Sequence, residues 1–89
     1  MQKEKFILQN GTGLHARPAS IFVDKTKKFK SNIKIESKGK EVNAKSIMSV
    51  MSLGIDEGDE IILTIDGEDE EKAMDELTKL INEELIEEE

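Results

Sequence analysis

The chain has 89 residues, enough for one hydrophobic core but not two, so a single domain spanning residues 1–89 is expected. It has no cysteine, tryptophan or tyrosine and only one histidine, which excludes a disulfide framework, a thiolate metal site and a multi-histidine metal site, and leaves a largely aliphatic core around Phe6, Phe22 and Phe29. A net charge of −7 denies it the basic footprint of a nucleic-acid binder.

In chain order, Phe6 and Leu8 alternate with Lys5, Ile7 and Gln9, the period of a first strand. From Ala16 the period becomes helical, with Ala19, Phe22, Val23 and Thr26 on one stripe. Ile33 and Ile35 alternate with Lys34 and Glu36 as a second strand. Ser37-Lys38-Gly39-Lys40 reads as a hairpin turn into a short third strand through Val42. Ser46 then precedes Ile47, Met48, Val50, Met51 and Leu53, with Gly54 after them: an N-cap, a two-turn helix and a C′ glycine. Ile61, Leu63 and Ile65 alternate with Ile62 and Thr64 as the last strand. Asp69 is expected to cap a final helix whose stripe is Ala73, Met74, Leu77, Leu80, Ile81 and Leu85, with Glu70 and Glu71 complementing its dipole. The order βαββαβα, with one apolar face per element, predicts a two-layer α+β domain. The acidic end, Glu83 to Glu89, reads as a solvated, fraying helix end and not as a metal site.

The only histidine, arginine and proline fall within four residues, His15-Ala16-Arg17-Pro18. Singly, His15 reads as a loop histidine, Arg17 as a surface ion-pair residue and Pro18 as a first-turn residue of a helix. Together, and after Gly11-Thr12-Gly13, they describe a nucleophile beside a helix N-terminus, where free backbone N–H groups attract anions and a guanidinium fork fits two phosphate oxygens. Phosphoryl transfer is mostly positioning and charge stabilisation, so such a site needs neither metal nor cofactor. A hydrolytic enzyme lacks its parts here, having no thiol and no metal set.

Charge is unevenly distributed. Residues 1–55 carry eleven basic and four acidic side chains, and residues 56–89 carry two basic and sixteen acidic. Lys25, Lys27, Lys28 and Lys30 make either a basic face for an acidic protein partner or a merely solvated helix end. No apolar run approaches the roughly 20 residues that cross a bilayer, and the charged N-terminus lacks the apolar stretch of a signal peptide. A cytoplasmic chain without membrane association is expected.

Gly13-Leu14-His15-Ala16-Arg17-Pro18-Ala19, followed by Lys45-Ser46-Ile47-Met48 and Val50-Met51-Ser52-Leu53-Gly54, closely resembles HPr, the histidine phosphocarrier of the bacterial phosphoenolpyruvate-dependent sugar phosphotransferase system, in its Firmicutes-type form. The resemblance spans the whole chain. It implies an open-faced β-sandwich: a four-stranded antiparallel sheet covered on one face by three helices. It implies that His15 accepts a phosphoryl group on Nδ1 from phosphorylated enzyme I and donates it to enzyme IIA domains, with Arg17 pairing with the phosphoryl oxygens. Ser46 would be the regulatory site of an ATP-dependent HPr kinase/phosphorylase, acting in carbon catabolite control through a catabolite control protein. Ala16, Ser20, Ile47, Met48 and Met51 would form the apolar surface for partners. The chain would be a carrier and not an enzyme, and a monomer. Ser49 stands where glycine is frequent in the family; serine is compatible with a helix, so the fold is expected to be unchanged. The competing class is a purely regulatory interaction protein controlled at Ser46, as in HPr-like relatives without the histidine; His15 and Arg17 argue against that as the sole role.

Overall fold

The computed structural model describes residues 1–9, 13–14 and 16–84. Four strands, β1 (Gln2–Ile7), β2 (Asn32–Ser37), β3 (Lys40–Asn43) and β4 (Glu60–Asp66), alternate with three helices, α1 (Ala16–Thr26), α2 (Ile47–Ser52) and α3 (Glu70–Lys79). A π-helical turn, Leu80–Glu84, continues α3. The strands form one antiparallel sheet in the order β1-β4-β2-β3. The expected element order and sheet are both present.

Alternation on the strands decides what lies where. Ile61, Leu63 and Ile65 of β4 are fully buried, and their neighbours across the ladder are Ile35 and Ile33 of β2 and Phe6 of β1. Ala19, Phe22 and Val23 of α1, Val50 of α2, and Ala73, Met74 and Leu77 of α3 complete the same core. Leu80 and Ile81 carry the apolar stripe into the π-helical turn; Leu85, its expected next member, and the acidic end 85–89 lie outside the described residues. The opposite sheet face is mostly polar, with Lys3, Thr64, Lys34 and Asn43 in one cross-strand row, and also carries Ile62 and the exposed Ile7.

The connections follow from local chemistry. Lys38 and Gly39 have φ of 55° and 80°, the two consecutive positive values of a tight hairpin turn. Gly54 follows α2 at φ 60°, and its N–H donates to the Met51 carbonyl, the left-handed stop expected of a C′ glycine.

Asp69 departs from expectation. It occupies the N-cap position of α3, but its side chain makes no capping bond. Its carboxylate instead accepts the N–H groups of Lys30 and Ser31, each at 2.9 Å, and the Ser31 hydroxyl. Two convergent backbone donors and a hydroxyl outcompete the single donor its own helix offers, so the residue clamps the α1–β2 turn onto the start of α3. Glu70 takes over at the helix start, accepting the Gly67 N–H at 3.1 Å and the N-terminal ammonium at 2.8 Å.

The hydroxyl of Ser31, followed by the N–H groups of Lys30 and Ser31, holds the Asp69 carboxyl down at about 2, from a model-peptide value of 3.8. A depressed carboxyl stabilises the fold above its unfolded value, and that contribution disappears as pH falls through the folded one. Asp69→Asn should therefore melt several degrees below the parent at pH 7, and the gap should close between pH 4 and pH 2. Circular-dichroism melts at both ends of that range check this; a gap independent of pH would show that charge at Asp69 is irrelevant.

Candidate functional site

Of the residues singled out in sequence, His15 lies outside the described residues, as do Gly11 and Thr12; Leu14, Ala16 and Arg17 bracket it. Ala16, Arg17 and Pro18 open α1. Pro18 is buried in the first turn, where its missing N–H leaves no carbonyl unpaired. Ala16, Arg17 and Ser20 are exposed. Among the described residues Arg17 has no hydrogen-bond or ion-pair partner, so its donors are uncommitted.

The residue before His15 is anchored. Leu14 is buried and donates its N–H to the Ile55 carbonyl at 2.9 Å. Gly13, at φ 83°, lies so close to the same loop that a Cβ there would sit 2.7 Å from the Ile55 oxygen. Only glycine fits both the conformation and the space.

At its other end α1 is tied to the approach of α2. The Thr26 hydroxyl, fully buried, shares its one proton between the Val23 and Ala44 carbonyls at 2.7 and 3.0 Å, and Lys45 Nζ donates to the Phe29 carbonyl at 2.7 Å. The start of α1 thus meets the exit of α2, and the end of α1 meets the entry of α2. The two helices run side by side and antiparallel. Ser46 accordingly sits toward the far end of α1 from Arg17. Its Oγ accepts the Ser49 N–H at 3.3 Å, the N-cap bond read from the sequence, and the side chain remains half-exposed. Ser49 lies within α2 without breaking it.

A helix of six residues cannot bury all its apolar side chains. Val50 and Leu53 face the core, Ile47 is half-buried against it, and Met48 and Met51 are 80 % and 43 % exposed. Ile21 on α1, 41 % exposed, was not among the expected surface residues. It stands outside the Ala19–Phe22–Val23–Thr26 stripe, so the periodicity contained the signal. Exposed methionine suits a surface that adapts to more than one partner.

The lysine cluster divides. Lys25 Nζ lies 3.0 Å from Glu76 of α3, both half-buried, and Lys30 Nζ lies 3.6 Å from Glu68. These two join the basic and acidic halves of the chain, whereas Lys27 and Lys28 stay exposed at the end of α1. The Lys25 ammonium, first by its hydrogen bond, holds the Glu76 carboxyl below its usual range. Among the described residues no helix is long and apolar enough to cross a membrane.

Comparison with known proteins places this geometry. Residues 2–83 match the family described as PTS HPr component phosphorylation site. The chain is 44 % identical over 85 residues to the HPr-like protein Crh of Bacillus subtilis (strain 168), covering 96 % of this chain and all of that one. A crystal structure of HPr-C-His from Thermoanaerobacter tengcongensis is 46 % identical, superposes with a TM-score of 0.94 and covers both chains fully. A crystal structure of an HPr dimer from the same organism, also 46 % identical, covers 98 % of this chain and all of that one with a TM-score of 0.77.

The exposure difference within α2 is testable. Met48→Ala should change unfolding free energy by no more than about 0.5 kcal/mol, as for surface positions generally. Val50→Ala, at a fully buried position, should cost about 2 kcal/mol through lost burial and a cavity. Urea unfolding of both variants measures this; equal losses would contradict the division of the helix.

Proposed function

We propose that this chain, which belongs to the HPr family of phosphocarriers of the phosphotransferase system, carries its phosphoryl group on His15. Members of this family are carriers and not enzymes in their own right. The observation that supports the assignment is Arg17. It is exposed and uncommitted in the first turn of α1, two residues after the only histidine of a chain whose family is described by a phosphorylation site.

In this reading Nδ1 of His15 attacks the phosphorus held by phosphorylated enzyme I. A nitrogen–phosphorus bond forms as the donor's bond to phosphorus breaks. The enzyme IIA domain of a sugar permease later attacks the same phosphorus, and His15 departs as the neutral imidazole. Little covalent chemistry is asked of the protein; positioning and stabilisation of charge on the equatorial oxygens are the main requirements. The N–H groups at the start of α1 and the Arg17 fork supply both. The phosphoramidate has to stay reactive toward its next acceptor, since it is handed on.

Ala16, Ser20, Ile47, Met48 and Met51 form the docking surface in this proposal, with Ile21 extending it along α1. Ser46 is the regulatory site of an HPr kinase/phosphorylase. A phosphate there adds a charge of about −2 beside Met48, which repels an acidic donor and offers a catabolite control protein a new contact. The similarity to Crh, whose solved structures are described by catabolite repression, favours this regulatory role alongside the carrier role. The chain acts as a single cytoplasmic domain and as a monomer; the related HPr dimer makes light scattering the check on the last point.

Incubation with enzyme I and labelled phosphoenolpyruvate tests the central assignment. His15→Ala should abolish labelling while leaving the circular-dichroism spectrum unchanged, and the parent's label should be acid-labile and alkali-stable. An acid-stable label, or one retained by His15→Ala, would refute it. Arg17→Lys should accept phosphate about tenfold more slowly, because a point charge cannot replace a bidentate fork, with an unchanged melting temperature. Ser46→Asp should also slow acceptance, and the effect should shrink with added salt, since exposed charges are screened beyond about 8 Å at physiological ionic strength. A slowing that is insensitive to salt, or that accompanies loss of helix, would contradict the electrostatic mechanism.

A further inference from the structure

We infer that Lys38 is a positioning residue for phosphoryl transfer, acting through the α2–β4 loop on Leu14, the residue before His15; this rests on the assignment of His15 made above. The side chain lies on the β2–β3 turn, on a different element from either helix of the docking surface. It nevertheless reaches the stretch of chain that holds Leu14.

The contacts form a short continuous path. Lys38 Nζ donates to the Gly54 carbonyl at 2.7 Å and lies 3.2 Å from Asp59 and 3.8 Å from Asp56. One ammonium with three donors thereby gathers three oxygens from both ends of the same loop. Asp59 in turn accepts the Asp56 N–H at 2.8 Å, and its own N–H donates to the Asp56 carbonyl at 3.1 Å. The Asp56 N–H, followed by the Lys38 ammonium, draws the Asp59 carboxyl below its usual range, as expected of an anion committed to donors.

The other side of this loop holds the chain around the phosphate-site segment. The Ile55 carbonyl, one residue beyond the oxygen that Lys38 binds, accepts the Leu14 N–H at 2.9 Å. Leu8 donates to the Asp59 carbonyl at 3.0 Å and accepts the Gly58 N–H at 2.7 Å. Loop 54–59 therefore fixes the backbone on both sides of residues 9–13. Lys40 adds a weaker tie, its Nζ lying 3.4 Å from the Ser52 hydroxyl near the end of α2.

An ordinary surface ion pair contributes little to stability, and Lys38 is half-exposed. Its contribution here differs because a charge-assisted bond to a backbone carbonyl orients the next peptide, and that peptide bears on Leu14. Transfer rates respond to displacements too small to register as unfolding. Loss of the ammonium should therefore slow transfer far more than it lowers the melting temperature.

The test uses the full chain with enzyme I and labelled phosphoenolpyruvate, comparing the parent with Lys38→Met, Lys38→Arg and His15→Ala. Lys38→Met should lower the kcat for acceptance by about three- to tenfold while the KM of enzyme I for this chain changes less than about twofold. Amide exchange at Leu14 in the unphosphorylated variant should quicken by about threefold or more. Lys38→Arg, which keeps a donor within reach of Gly54, should recover most of both losses. Parent-like kcat in Lys38→Met, with labelling still dependent on His15, would overturn the inference and leave the carrier reading intact. Slow acceptance with unchanged Leu14 exchange and a raised KM would also overturn it, by showing that Lys38 touches the donor directly. Labelling of His15→Ala at the parent rate would instead overturn the carrier reading itself.

Discussion

The structure depends on burying one face of β4. Ile61, Leu63 and Ile65 have no exposed surface, and β4 pairs with β1 on one side and β2 on the other. A strand in that position makes ladder bonds on both edges and needs cover on one face. Every helix supplies part of that cover through a stripe of small and aliphatic side chains. With few aromatic residues to fill space, the core is built from many branched aliphatic contacts, so its specificity comes from shape and volume. The uncovered face carries lysine, threonine and asparagine and can remain in water.

This arrangement leaves α2 as the helix with the fewest buried side chains, latched at both ends. Lys45 and Thr26 secure its entry against the end of α1, and Lys38 and Ile55 secure its exit against the hairpin and Leu14. Six residues do not make a stable isolated helix; these polar ties and Val50 hold it in place. Because backbone and polar bonds do much of the anchoring, Met48 and Met51 are released from the core and can face a partner. The loop at the exit of α2 also holds Leu14, so the exposed methionines and the residue before His15 share one support.

Electrostatics binds the two halves of the chain as well as facing outward. Lys25–Glu76, Lys30–Glu68 and the Asp69 clamp all join the basic N-terminal portion to the acidic C-terminal one. The charge split therefore reads partly as internal complementarity, with Lys27, Lys28 and Arg17 left at the surface. Each ion pair contributes modestly in water. Asp69 stands apart because its carboxylate is held by fixed backbone donors, whose geometry requires little additional ordering.

Much of this was legible in the chain itself. Period-two and helical alternation located β2, β4 and the three helices, Ser46 and Gly54 marked both ends of α2, and Lys38-Gly39 marked the hairpin into β3, because these signals are local: they depend on side-chain direction and allowed φ over a few residues. The Gly13–Ala19 segment and the Lys45–Gly54 segment, Ser49 apart, carried the family resemblance for the same reason, each being contiguous. β1 runs over Gln2–Ile7, earlier than the Lys5–Gln9 alternation. What only tertiary structure decided were choices between partners distant in sequence. Asp69 has the composition of a cap, yet Lys30 and Ser31 claim its carboxylate. The Lys25–Lys30 run looked uniform, yet α3 lies within reach of only some of its members. Lys38 read only as a hairpin-turn residue, yet it binds a carbonyl sixteen residues away. In each case the local pattern permits several hydrogen-bond or ion-pair partners, and the packing of helices onto the sheet determines which one is near enough to bind.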